Sequence, residues 1–148
     1  QYKITSKSVI LIDDEVSLAD IENNFNEEII LQFYGKNTEN YQNYSIFKPI
    51  SVTELKHLSA DNINNTKNIK YLIDNMDSAL GGTGKKFDWS NIDNIDLSNL
   101  MIAGGLSIED IPILKEMGVW GVDLNSKFEI APGKKDTKLI EQLRRYYE

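Results

Sequence analysis

The sequence predicts an α/β domain built on a parallel sheet covered by helices. Short runs rich in Ile, Leu and Val alternate with helical patterns at a spacing of roughly 20 to 30 residues, the βαβ rhythm. The runs are apolar throughout, as expected of strands buried on both faces. At 148 residues the chain holds one domain with a sizeable core and is too short for two comfortable ones.

Ser8 to Asp13 reads as the first strand, followed by a helix from Ser17 with Leu18, Ile21 and Phe25 on one face. Ile29 to Phe33 is the second strand, closed by Gly35 and followed by a polar helix through Asn40 to Tyr44. Ile46 to Val52 is the third, where Pro49 argues against a central place in the sheet. Its helix runs from Thr53 through Leu55 and Leu58 into the Asn-rich stretch Asp61 to Asn68. Ile69 to Ile73 is the fourth strand and leads into Asp74 and a long polar loop. Leu100 to Ala103 is the fifth and ends in Gly104-Gly105. The next helix has Ser107 as N-cap with Asp110 three residues on, and Gly118 as its stop. Val119 to Leu124 is the sixth strand, and a last helix opens at Asp136 with Ile140, Leu143 and Tyr147 facing inward. No linker or internal boundary interrupts this pattern, so residues 1–148 form one domain. Two architectures fit it, an open doubly wound sheet and a (β/α)8 barrel of which about six units are visible.

Composition removes several functions. No Cys is present, so there is no disulfide, thiolate metal site or cysteine nucleophile in this chain. One histidine, His57, rules out a multi-histidine metal site, and it reads as a solvated helix residue. A net charge of -7 argues against nucleic acid as a partner. It leaves open a small anionic ligand held by backbone dipoles. No apolar run approaches the roughly 20 residues of a membrane helix, and no signal-peptide pattern opens the chain. The expected setting is cytoplasmic.

Strand ends are where either architecture places its chemistry. Asp74 follows the apolar Tyr71-Leu72-Ile73, and a carboxylate at a strand tip is a candidate general acid or, more simply, a cap. Gly81-Gly82-Thr83-Gly84-Lys85-Lys86-Phe87-Asp88-Trp89 holds three glycines in four residues but lacks the Walker spacing, which argues against nucleotide binding. Gly104-Gly105 after one strand and Asp123-Leu124-Asn125-Ser126 after the next pair up. Two such loops and a short helix N-terminus hold phosphate in phosphate-binding barrels, though a lone Gly-Gly is also an ordinary turn. Lys134-Lys135 reads as a solvated approach to the last helix, and Asp13-Asp14-Glu15 as a solvated loop, not a metal site.

Taken in order, Leu72-Ile73-Asp74, the GGTGKKFDW run from Gly81 to Trp89, Ala103-Gly104-Gly105-Leu106, Gly121-Val122-Asp123 and Pro132-Gly133-Lys134-Lys135-Asp136 resemble phosphoribosylanthranilate isomerase. The GGTGKxFDW and PGxKD runs are the specific ones, and the likeness is strongest from Ile69 to the end. Earlier, Leu31-Gln32-Phe33-Tyr34-Gly35 resembles the family's QLHG strand end. The resemblance implies a (β/α)8 TIM barrel without a cofactor. It also implies an Amadori rearrangement of N-(5-phosphoribosyl)anthranilate to an open-chain carboxyphenylamino-deoxyribulose phosphate, in tryptophan biosynthesis. By that resemblance Asp74 is the general acid, and Gly104, Gly105, Asn125 and Ser126 take the phosphate. Gln32, Gly82 and Asp123 line the sugar or anthranilate side.

The chain departs from the family pattern at several points. Nothing resembles the KICGIT-like segment that carries the family's cysteine base, nor the arginine that meets the anthranilate carboxylate. Tyr34 stands where histidine is usual, Asn75 where threonine is usual, and Asn125-Ser126-Lys127 where Ser-Ser-Gly is usual. The expectation is a family member seen without its first two βα units, a monomer when intact and prone to self-association as a fragment. The rival readings are a non-catalytic phosphosugar-binding barrel and another phosphate-binding barrel enzyme. The latter, such as a ribulose-phosphate epimerase, would usually need histidine metal ligands.

Overall fold

A computed structural model describes residues 7–25, 28–58, 68–74 and 96–147 of the chain. Its main sheet contains β1 (Ser8–Ile12), β2 (Ile29–Phe33), β3 (Ser45–Ile50), β4 (Ile69–Ile73), β5 (Leu100–Ile102) and β6 (Gly121–Val122). The six are parallel and lie side by side in sequence order. A doubly wound sheet must reverse its strand order at a switch point. Here the order never reverses, as in a barrel wall. Of the two architectures that the sequence left open, the sheet is barrel-like and not doubly wound.

The described helices are α1 (Leu18–Asn24), α2 (Val52–His57), α3 (Ile111–Met117) and α4 (Thr137–Arg145). Three helical segments open on the same device. Ser17 with Asp20, Ser51 with Glu54, and Ser107 with Asp110 each form a reciprocal capping box that satisfies donors left open at a helix start. Asp110 is buried and accepts from the Ser107 amide and hydroxyl, both at 2.8 Å. Gly118 closes α3 at φ 78°, a left-handed value that the sequence pattern anticipated.

Alternation along the strands sorts the side chains into two faces. Leu31 pairs with Ile46, and Ile50 with Ile73, which pairs with Ile102; all face the helices. There Ile12, Leu31, Phe33 and Ile46 pack with Ile21 of α1, while Ile50, Ile73, Leu100 and Ile102 pack with Leu55 of α2 and Leu114 of α3. Each fully buried Leu, Ile or Phe contributes roughly 1.5–3 kcal/mol. On the other face Phe47 pairs with Lys70, and Leu72 with Met101. The Phe47 ring meets Trp120 edge-on at 5.7 Å, Lys70 sits 5.4 Å above the same indole, and Lys70 also donates to Asn99 Oδ1.

Five expectations are corrected. The first strand is not buried on both faces: β1 forms one end of the sheet, and Val9 and Leu11 are 41% and 63% exposed on the face away from the helices. Pro49 does lie in a central strand. The described β2–β3 pairing ends at Phe47, so Pro49 pairs only with β4, where its missing N–H costs no ladder bond to β2. The polar helix after β2 is a single 3-10 turn, Glu39–Tyr41. In α1 only Leu18 and Ile21 turn inward; Phe25 is its exposed C-cap in extended conformation. In α4 the inward residues are Leu139, Leu143 and Tyr146, while Ile140 and Tyr147 are exposed on the adjacent flank.

Candidate active site

All six strands run the same way, so their carboxyl ends lie along one rim. Backbone bonds extend the ladders past the strands and level that rim. Tyr34 N–H donates to Ile12 O at 2.9 Å, Ala103 N–H to Ile73 O at 2.8 Å, and Asp123 N–H to Ile102 O at 2.8 Å. Asp13, Tyr34, Asp74, Gly104 and Asp123 therefore follow one another along the rim from β1, β2, β4, β5 and β6.

Asp74 is half-buried and continues the alternation of Lys70 and Leu72, so it belongs to the face away from the helices. Asp123 belongs to the same face, two residues beyond Gly121, which pairs with Met101. Lost hydration raises the Asp123 carboxyl above the ordinary aspartate value, and the Asp74 charge adds to the rise against the pull of Lys135. Asp123 keeps an outer surface open to water. The nearby strand ends still displace enough water to make desolvation its largest cause. The two carboxyl groups sense each other across the end of β5.

That end of β5 is the glycine pair. Gly104 has φ 92° and Gly105 φ 64°, both in the left-handed region that side chains avoid. No heavy atom lies within 4 Å of where a Cβ on Gly105 would sit, so glycine is required there by backbone conformation and not by crowding. One strand on, Asn125 precedes the 3-10 turn Ser126–Phe128, as the sequence suggested, with buried Phe128 anchoring the turn beneath. Lys127 lies inside this right-handed turn, a conformation that does not call for the glycine usual in the family.

Lys135 holds this loop, and the sequence reading missed it. Beyond the turn, β7 (Glu129–Ala131) and β8 (Lys134–Lys135) form a small antiparallel hairpin. From it Lys135 Nζ donates to Asn125 Oδ1 at 2.7 Å, to Asn125 O at 3.2 Å and to Glu129 Oε1 at 2.9 Å. The hydrogen bond from Lys135 keeps the Glu129 carboxyl below its ordinary value. A lysine ten residues past Asn125 gives no sequence signal of this contact; the hairpin brings it back.

On β2, Gln32 and Tyr34 share the face away from the helices, and Gln32 Nε2 donates to the Tyr34 hydroxyl at 2.7 Å. Tyr34 is exposed at the rim. The acidic run after β1 is more than a solvated loop, because Asp14 accepts from the Lys36 amide through both oxygens, at 2.9 and 3.1 Å. His57 is exposed at the end of α2, away from the rim, as anticipated. Gly82, the rest of the GGTGKKFDW run and Asn75 lie outside the described residues. Among the described residues no group of three or more His, Cys, Asp or Glu is placed to hold a metal ion. No described helix is long and apolar enough to cross a membrane.

The arrangement offers a carboxyl group and a backbone-lined turn within one crescent: Asp74, the Gly104-Gly105 turn, Asp123 and the Asn125 loop occupy three adjacent strand ends. Comparison with known proteins agrees with that reading of the fold. A family model described as N-(5'phosphoribosyl)anthranilate (PRA) isomerase matches residues 6–145. The tryptophan biosynthesis protein TrpCF of Buchnera aphidicola subsp. Baizongia pistaciae is 46% identical over 74 residues, 50% of this chain and 15% of that protein. TrpCF of Vibrio parahaemolyticus is 38% identical over 122 residues, 75% of this chain and 24% of that protein. The crystal structure of phosphoribosyl anthranilate isomerase from Thermotoga maritima superposes with a TM-score of 0.66 at 23% identity, covering 93% of this chain and 70% of that one. The fold is thus (β/α)-barrel-like, and the chain spans about a quarter or less of the length of these two curated relatives. The chain belongs to the N-(5'-phosphoribosyl)anthranilate isomerase family.

Proposed function

We propose that this chain carries the acid and phosphate sites of a phosphoribosylanthranilate isomerase. The reaction is the Amadori rearrangement of N-(5-phosphoribosyl)anthranilate to 1-(2-carboxyphenylamino)-1-deoxyribulose 5-phosphate, a step of tryptophan biosynthesis. The six parallel strands correspond to the third to eighth of a (β/α)8 barrel. The observation that carries the reading is the placement of Asp74 and the Gly104-Gly105 turn on adjacent strand ends.

The roles are those that the family resemblance implies for each strand end. Asp74 gives its proton to the furanose ring oxygen, and the C1–O bond breaks to leave a Schiff base. A base then removes the C2 proton to form the enolamine, which becomes the ketone. The chain contains no cysteine, so the family's usual base is not among its residues. If these 148 residues alone were active, Asp13 at the end of β1 would be the first residue to test as the base. Gly104, Gly105, Asn125 and Ser126 bind the phosphate through short-range N–H donors, which suits a chain with a net charge of -7. Gln32, Gly82 and Asp123 line the sugar or anthranilate side. No cofactor enters this scheme. The partner is a small phosphosugar–anthranilate molecule, the setting is the cytoplasm and the intact enzyme is a monomer.

The phosphate site is tested by Gly104→Val in the full-length protein. A β-branched residue at φ 92° forces the turn to move. Titration with a product-like phosphosugar should show affinity lower by roughly tenfold or more. Unchanged affinity would place the phosphate elsewhere.

A further inference from the structure

We infer that Asp14 is a positioning residue that, together with Lys48, clamps the carboxyl end of β2 and so sets where Gln32 and Tyr34 stand toward the substrate. The inference rests on the isomerase reading above and adds to it two residues that the reading does not use.

The clamp grips one short turn from two sides. Gly35 follows Tyr34 directly and is buried. From the loop after β1, the Asp14 carboxylate accepts from the Lys36 amide through Oδ2 at 2.9 Å and Oδ1 at 3.1 Å, and from the Asn37 amide at 3.5 Å. From β3, Lys48 Nζ donates to the Gly35 carbonyl and lies 5.1 Å from the centre of the Phe33 ring. Donors and acceptors of three consecutive residues are therefore taken up by side chains from the two neighbouring strands' segments. Charge-assisted bonds of this kind are roughly twice as strong as neutral ones.

Gly35 shows how close the carboxylate comes. A Cβ there would lie 2.3 Å from Asp14 Oδ1 and 2.5 Å from Phe33 Cζ. Both the carboxylate and the Phe33 ring occupy the space that a side chain would need. Lys48 is itself half-buried between Phe33 and the turn; burial lowers its ammonium pKa, opposed by the charges of Asp14 and Glu54. A lysine kept in that position without the Gly35 carbonyl would have less to offset its lost hydration.

The functional consequence follows from the geometry of β2. Gln32 and Tyr34 are joined to each other by one hydrogen bond, and Tyr34 is tied to β1 through its amide. Just beyond Tyr34 the clamp holds the direction of the chain at Gly35, Lys36 and Asn37. Loosening it lets the Gln32–Tyr34 pair drift without touching Asp74, two strands away. Substrate binding should therefore suffer while proton transfer does not, and a shift of about 1 Å in a positioning group is enough for a large effect.

The experiment uses the full-length protein with Asp14→Ala, Asp14→Asn and Lys48→Met, assayed for turnover of N-(5'-phosphoribosyl)anthranilate. Amide hydrogen exchange is followed alongside. Asp14→Ala should raise KM roughly tenfold with kcat within about twofold. Asp14→Asn, which keeps an acceptor oxygen, should recover KM to within about threefold. Lys48→Met should raise KM in the same direction, and Asp14→Ala should speed exchange at Lys36 and Asn37. A purely structural role would lower Tm and the active fraction, hence apparent kcat, with KM unchanged; that result overturns the inference. Should Asp14→Ala fail to fold, unchanged KM in Lys48→Met overturns it as well. Absence of turnover in the wild-type protein would instead refute the isomerase reading, and unchanged exchange at Lys36 and Asn37 in Asp14→Ala would refute the clamp whatever the activity.

Discussion

Lys135 reaches from the β7–β8 hairpin to Asn125 and bonds both its side-chain and its main-chain oxygen. Asn125 needs that support: its backbone stands at φ -127°, ψ -100°, outside the regular regions, and its own side chain caps nothing in the turn that follows. The ion pair with Glu129 is open to solvent on the lysine side and weakly stabilising for that reason. The value of Lys135 lies in orienting the loop. Lys135→Met should therefore weaken binding of a product-like phosphosugar by roughly tenfold in calorimetric titration, with little change in Tm. Equal affinities in wild type and variant would show that the loop keeps its shape unaided.

The neighbouring strand end carries a pH signature. Asp123 has its pKa raised, first by lost hydration and then by the Asp74 charge. A carboxyl raised in the folded state favours folding while protonated. That contribution is complete below the ordinary aspartate value and disappears as pH rises through the raised one. Asp123→Asn should therefore gain Tm relative to wild type at pH 7, and the gain should shrink as pH falls through the raised value and be gone below the ordinary one. In a carboxyl-resolved NMR titration, Asp74→Asn should lower the Asp123 pKa. An Asp123 titration that ignores residue 74 would separate the two groups.

Legibility in the sequence followed the physics of each element. Strands β2, β4 and β5 were readable because both faces are covered and their apolar runs are short and bounded. β1 read the same way, yet Val9 and Leu11 stand exposed, since an apolar run does not say whether a neighbouring strand will cover it. Pro49 misled because ladder partners at one residue depend on where the neighbouring strand stops. The face of α4 is ambiguous in sequence because Leu139, Ile140, Leu143, Tyr146 and Tyr147 offer two apolar flanks, and packing against Ile108, Ile111 and Phe128 decides which is buried.

In the candidate site, features set by a single residue were legible and those set by bonds across the chain were not. The glycine pair was visible because positive φ leaves its mark in the residue itself. Asp74 was visible through its place after an apolar strand. Lys135, Lys48 and Asp14 were not, since each acts through a bond to main-chain atoms 10 to 23 residues away. Main-chain acceptors and donors carry no residue identity that a sequence pattern can show.

The central claim is that Asp74 is the general acid of an Amadori rearrangement, and steady-state kinetics of Asp74→Asn in the full-length enzyme tests it most directly. Asparagine keeps the shape and a donor N–H but has no proton to release to the ring oxygen. The account predicts turnover of N-(5'-phosphoribosyl)anthranilate by the wild type and a kcat lower by roughly 10²- to 10⁴-fold in the variant. Affinity for a product-like phosphosugar should change little, because the account places the phosphate at the ends of β5 and β6. Near-wild-type kcat in Asp74→Asn, or a loss carried equally by kcat and by product affinity, would contradict it.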